Sequence, residues 1–258
     1  MSGLSHTLPS STLLRWKPSR DLIAILISYV LLVAMLYTAN VIIGPQVWGG
    51  MAYFLLYGVL TAMLLGVGFP LFWTVVVRRQ PISDLGLTTH NLSLSLGLQL
   101  ILGTVQFFAT RSQVDLPDFS RLLPLAALAL AIGFFEAVFW RGWVLTRLEA
   151  AFGFLPALLV GSLLYAFYHI GYAMPLGEIA FLFFIGVLYA LSFRLTKNIF
   201  ILWPIFQPMG QLVTLLKDGL DLPPIASLGF IEVLVGMLAL VWLANRYQQG
   251  KLTRSARV

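Results

Sequence analysis

The chain has no cysteine among its 258 residues, which excludes disulfides, thiolate metal sites and cysteine nucleophiles. Charge is scarce too. Only 10% of residues are charged against 59% hydrophobic, and Asp and Glu together number 10. Soluble domains run at about 25% charged and 45–50% apolar. A chain this short has too little interior to hide so much apolar surface, because the buried fraction rises only slowly with size. Long polar linkers, internal repeats and low-complexity tracts are also missing, which leaves no room for a separate soluble domain. The 16 Lys and Arg gather on no single face or segment, so nucleic acid is not an expected partner. With a mean hydropathy of +0.91, the solvent for the outer surface is lipid.

What the sequence does contain is a series of apolar runs. A bilayer core about 30 Å thick needs about 20 apolar residues of helix. Such runs lie at Leu22 to Ile43, Met51 to Val77, Leu92 to Ala109 and Leu122 to Leu148, then at Leu155 to Met174, Ile179 to Leu195, Ile199 to Leu216 and Ile225 to Asn245. The expected fold is an all-α integral membrane protein, a bundle of about eight transmembrane helices. With the N-terminus in the cytoplasm, inside segments carry Arg15, Lys17, Arg20, Arg78, Arg79, Arg141, Arg147, Arg194, Lys197, Arg246, Lys251, Arg254 and Arg257. Outside segments carry only Arg111, Arg121 and Lys217, beside Asp115, Asp118, Glu178, Asp218 and Asp221. This bias follows the positive-inside rule and places both termini in the cytoplasm. The expected organisation is a tail at 1–21, a polytopic domain at 22–245 and a basic tail at 246–258, in a cell membrane of bacterial inner or plasma type.

Ionisable groups at membrane depth are costly and mark functional candidates. They are Glu136, Arg141, His169 and Glu232, with Gln99, Gln106, Gln207 and Gln211 adding neutral polarity. Asp21, Arg147, Arg194 and Lys197 lie near helix ends, where long side chains snorkel toward headgroups. Glu136 and His169 sit near mid-depth of consecutive antiparallel helices joined by a short link, so they are expected to face one pocket. A carboxylate and an imidazole activate water as general base and acid. A buried Glu136–Arg141 ion pair fixing helix register is the plainer alternative. Gln207 and Gln211 are four residues apart and share a helix face. Pro204 and Pro208 break the backbone there, which membrane depth tolerates mainly beside a cavity or protein partners. Amide donors in that place suit an oxyanion. Glu232 is expected to hold helices together.

The stretch Phe135-Glu136-Ala137-Val138-Phe139-Trp140-Arg141-Gly142 resembles the E-E-x-x-x-R-G motif of the CPBP family, which comprises the type II CAAX prenyl proteases and bacteriocin-processing (Abi) proteins. Tyr165 to His169 resembles the second motif, an aromatic residue four before a histidine. Trp203 to Gln211 occupies the place of the third, H-x-x-x-N. The resemblance covers roughly 80 to 245. It implies an intramembrane endopeptidase that cleaves a membrane-associated peptide or protein, with Glu136 activating water, His169 assisting, Gln207 and Gln211 binding the oxyanion and Arg141 bracing the site. Ala137 stands where the motif has a second glutamate, Gln207 where it has histidine and Gln211 where it has asparagine. A catalytically inactive relative serving in immunity, assembly or scaffolding is the alternative, and a small-solute carrier is a third reading. No cofactor and no metal are expected, because zinc catalysis wants three protein ligands and glutamine is a poor one.

Overall fold

The computed structural model describes residues 12–44 and 50–255, and every regular element among them is helical. His6, Arg257 and most of the expected 1–21 tail lie outside the described residues. Seven helices are long and apolar enough to cross a membrane. The first six are α1 (Arg20–Ile43), α2 (Met51–Val77), α3 (Leu92–Gln113), α4 (Phe119–Phe152), α5 (Phe154–Tyr172) and α6 (Leu176–Thr196). A short helix α7 (Phe206–Lys217) follows, and α8 (Ala226–Ser255) is the last. An all-α multi-pass membrane bundle is the observed class.

The seventh expected span, Ile199 to Leu216, differs from a single helix. A 3-10 turn at Ile199–Ile201 leads through residues 202–205 into α7, which at 1.5 Å per residue is about 18 Å long. The prolines are the reason. Proline is best accommodated in the first turn of a helix, where the missing N–H would find no partner anyway, and Pro208 is the third residue of α7.

This broken segment still carries the chain from one end of the bundle to the other. At one end Arg15 N–H donates to the Phe152 carbonyl (2.9 Å) and Arg78 pairs with Asp21 (3.2 Å). Arg147 donates to Gln80 (2.5 Å), Ile82 N–H to Gln248 (3.2 Å), and Lys197 pairs with Glu149 (2.6 Å) at the same end. At the other end Lys217 donates to Gln113 (2.5 Å). Residues 197 and 217 are therefore at opposite ends, and the start of α1 shares its end with the close of α8. The charged groups expected to snorkel are instead tied to protein. Asp21 accepts from the Trp73 indole at 2.8 Å, and Glu149 holds both Arg194 and Lys197. Fixed partners at these interfacial positions lock loops that hydropathy alone leaves free.

α4 is the central helix: 78% of its most apolar window is buried within the bundle, against 17–50% for the other six. Its burial needs small residues where neighbours come close. A Cβ on Gly142 would lie 2.3 Å from the Leu85 carbonyl oxygen, so the loop before α3 rests directly on the α4 backbone. That loop is closed by Asn198, which is fully buried. Its amide donates to the carbonyls of Thr88 and His90, both at 2.9 Å, and its oxygen caps Phe200 N–H at 3.0 Å. Asn198→Ala removes the partner of two carbonyls, at half-buried Thr88 and exposed His90, and of the half-buried Phe200 N–H. Water can reach part of these groups, so the expected loss is about 1–3 kcal/mol, the scale of one stranded group, read as a lowered thermal midpoint in detergent.

Candidate active site

Four polar side chains inside the bundle converge on one carboxylate. Glu136, only 1% exposed, lies on α4 and accepts from four donors on two other helices. Tyr165 O–H (3.3 Å) and Tyr168 O–H come from α5. Gln207 Nε2 (2.5 Å) and Gln211 Nε2 (3.1 Å to each oxygen) come from α7. A buried carboxylate needs such partners, since isolated charge in a low-dielectric interior is prohibitive. The close approach of α7 depends on Gly133, one turn before Glu136, where a Cβ would lie 2.7 Å from Cγ of Pro208.

Glu136 and His169 share the pocket without bonding each other. The His169 ring faces the Tyr165 carbonyl through Nδ1 at 2.9 Å. A carbonyl only accepts, so Nδ1 carries the proton and Nε2 is left as the basic nitrogen. Between the two candidates stands Tyr168, whose ring centroid is 4.1 Å from that of His169 and whose hydroxyl reaches Glu136. The two groups expected to face one pocket thus have a phenol between them. Neither tyrosine hydroxyl emerged from the sequence as a site group. The signal was there: residues three apart share a helix face, and a buried Glu136 had more acceptor positions than two glutamines fill.

Arg141 occupies the same neighbourhood in a different way. Between Ala137 and Leu145 α4 widens into π-type turns, in which i to i+5 bonding brings residues five apart onto one face. Glu136 and Arg141 are five apart. The guanidinium lies over the Tyr165 ring, 4.9 Å from its centroid, and 5.9 Å from that of Tyr189. It forms no ion pair with Glu136 and no hydrogen bond. The register-fixing ion pair is therefore replaced by stacking on aromatic faces.

The remaining candidates fall outside this cluster or at its edge. Gln99 accepts from Ile205 N–H at 2.9 Å and holds the turn that leads into α7. Gln106 hydrogen-bonds Tyr189 beside Gly210. Glu232 is exposed on α8 and no hydrogen bond or ion pair attaches it to another helix among the described residues, contrary to the role of interhelical glue. A resident metal does not fit the donors present. Glu136 has about four lone-pair positions and four donors already on them, His169 offers a single free nitrogen, and the described residues hold no group of three His, Asp or Glu fit for a metal.

Fold and site together define a multi-pass all-α membrane protein with a polar site inside the bundle. Residues 118–206 match the family model described as Type II CAAX prenyl endopeptidase Rce1-like. The matched stretch, less than half of the chain, contains Glu136, Arg141 and His169 and stops one residue before Gln207. It is a membrane protease family, and the match meets the resemblance read from the motifs. No curated protein and no solved structure matches the chain.

Proposed function

We propose that this protein is an intramembrane endopeptidase that cleaves a membrane-associated peptide with water activated by Glu136. The observation that carries the reading is the convergence of four hydrogen-bond donors on one buried carboxylate, inside or directly beside the stretch that matches a protease family. As substrate and water enter, one of the four donors yields its place on the carboxylate, and Glu136 takes a proton from the water as the water oxygen attacks the scissile carbonyl. A protonated carboxyl accepts less strongly than a carboxylate. The amides of Gln207 and Gln211 and the phenol of Tyr168 are then released toward the oxyanion at the moment it forms. The proton on Glu136 passes to the departing amine, so the carboxylate is regenerated. His169 assists through Nε2, and Arg141 braces the ring of Tyr165 from above. The unit that does this spans roughly 80–245, in a cell membrane, with the Arg- and Lys-rich end of the bundle in the cytoplasm.

A second reading has an observation of its own. All acceptor positions of Glu136 are occupied, which also suits a non-catalytic relative whose polar core only holds the helices together in an assembly, immunity or scaffolding factor. The test is complementation of a knockout by wild type, Glu136→Ala and His169→Ala at matched expression, with proteomic measurement of membrane peptides. Loss of complementation with an accumulating precursor is expected. Full complementation by both variants with no precursor would establish the non-catalytic reading.

A further inference from the structure

Among the described residues Arg141 is the group with the most unmet hydrogen-bond donors. It is 1% exposed, and its Nε, Nη1 and Nη2 are all buried without a hydrogen-bond partner. A guanidinium has five donors and cannot shed its proton, so neutralisation by deprotonation is closed to it. Stacking on Tyr165 and Tyr189 meets its faces and leaves its rim of N–H groups unmet. Among the described residues no acid hydrogen-bonds or pairs with it, and Glu136 reaches it only through space. Glu136 is engaged by four donors, and position 137, four residues before Arg141 and so the natural place for an i,i+4 partner, is a fully buried alanine.

The acceptor Oε1 of Gln207 is also buried and unpartnered, because the same amide turns its Nε2 to Glu136. Ser162 Oγ and Gln106 Oε1 are in the same state. They adjoin the tyrosines on which Arg141 rests: Ser162 meets Tyr165 around Gly186, and Gln106 meets Tyr189 around Gly210. A planar fork of donors asks for a carboxylate, which it grips in bidentate fashion. A buried carbonyl-type acceptor asks for an N–H.

We infer that Arg141 and Gln207 form a subsite for a carboxylate-bearing peptide, the carboxylate on the guanidinium and a backbone N–H on Gln207 Oε1. This rests on the reading of the bundle interior as a peptide site and adds to it the acidic group that the peptide presents. The carboxylate is that of an Asp or Glu side chain or that of a chain terminus; the chemistry at Arg141 is shared.

The test is peptide binding to the full-length protein in detergent, read by displacement of a fluorescent peptide. Three acetylated Leu-Ala repeat peptides serve as probes: one with a free carboxyl terminus, one amidated, and one amidated with an internal glutamate. At least tenfold tighter binding of one or both acidic probes over the neutral amide is expected. The probe that wins tells terminus from side chain. Ala137→Glu, which gives Arg141 an internal partner, is expected to abolish the preference, as is Arg141→Gln. Equal binding of all three probes to the wild type overturns the subsite and leaves the peptidase reading standing. Equal stabilisation by sodium acetate without peptide selectivity overturns it as well. No binding by any probe, with no cleavage of a membrane peptide, would sink both.

Discussion

Glu136→Gln is expected to lower peptide cleavage by at least about 10²-fold, at the lower end of what a positioned general base contributes, and to destabilise the bundle at the same time. The two effects have one origin. The glutamine is nearly isosteric, so the pocket keeps its shape, but the amide has no affinity for the proton of the attacking water. It also replaces one acceptor oxygen by an N–H₂ donor in a place where Tyr165, Tyr168, Gln207 and Gln211 all donate. At least two donors are then left facing a donor, at roughly 1–3 kcal/mol each. Glu136→Asp keeps both acceptors and withdraws them by one methylene, so it should retain more stability than Glu136→Gln while activity still falls. Thermal midpoints in detergent and turnover of a membrane peptide check the pair. Undiminished cleavage by Glu136→Gln would end the assignment of Glu136 as the base that activates water, and an inactive variant of undiminished stability would contradict the donor cluster.

What could be read in advance divides along the difference between local and tertiary information. The spans were legible because lipid imposes one uniform demand on about 20 consecutive residues, and seven of them reappear with ends shifted by a few residues. The grouping of Glu136 with Gln207 and Gln211 was legible because helix depth and i,i+4 spacing are both simple geometry. Three features were not. The widened turns from Ala137 to Leu145 have no residue-level signature, since Val, Phe and Trp suit an α-helix equally well, yet they decide which face Arg141 takes. Tyr168 looks like one more apolar aromatic until the neighbouring helix delivers a carboxylate to its hydroxyl. The seventh crossing was countable, but its form as turn plus short helix depends on where two prolines fall relative to the first turn, a boundary that pattern reading misses by a few residues. Glu232 shows the converse case. Cost at membrane depth identified it, but cost alone does not say whether a partner helix is present, and none is attached.

The position of α7 yields the second large effect. A methyl at residue 133 meets Pro208 Cγ at 2.7 Å and Cδ at 3.0 Å, both in a stiff ring that cannot turn aside. Gly133→Ala is therefore expected to push α7 outward, carrying Gln207 and Gln211 away from Glu136. Overpacking of this kind costs about 1–3 kcal/mol, and displacement of positioning groups by about 1 Å can lower the rate by about 10²-fold. The three atoms nearest a methyl at residue 133 all belong to Pro208, so a loss of activity there is expected to be transmitted through Pro208. Pro208→Ala removes the ring, and its own cost is small because the first turn of a helix gains little from an added N–H. The double variant Gly133→Ala with Pro208→Ala should then recover stability and turnover relative to Gly133→Ala alone. A coupling of about 0.5–3 kcal/mol in the thermal data is expected for residues in contact. Simple additivity of the two changes, or full activity in Gly133→Ala, would mean that the glutamines are held near Glu136 by something other than this helix contact.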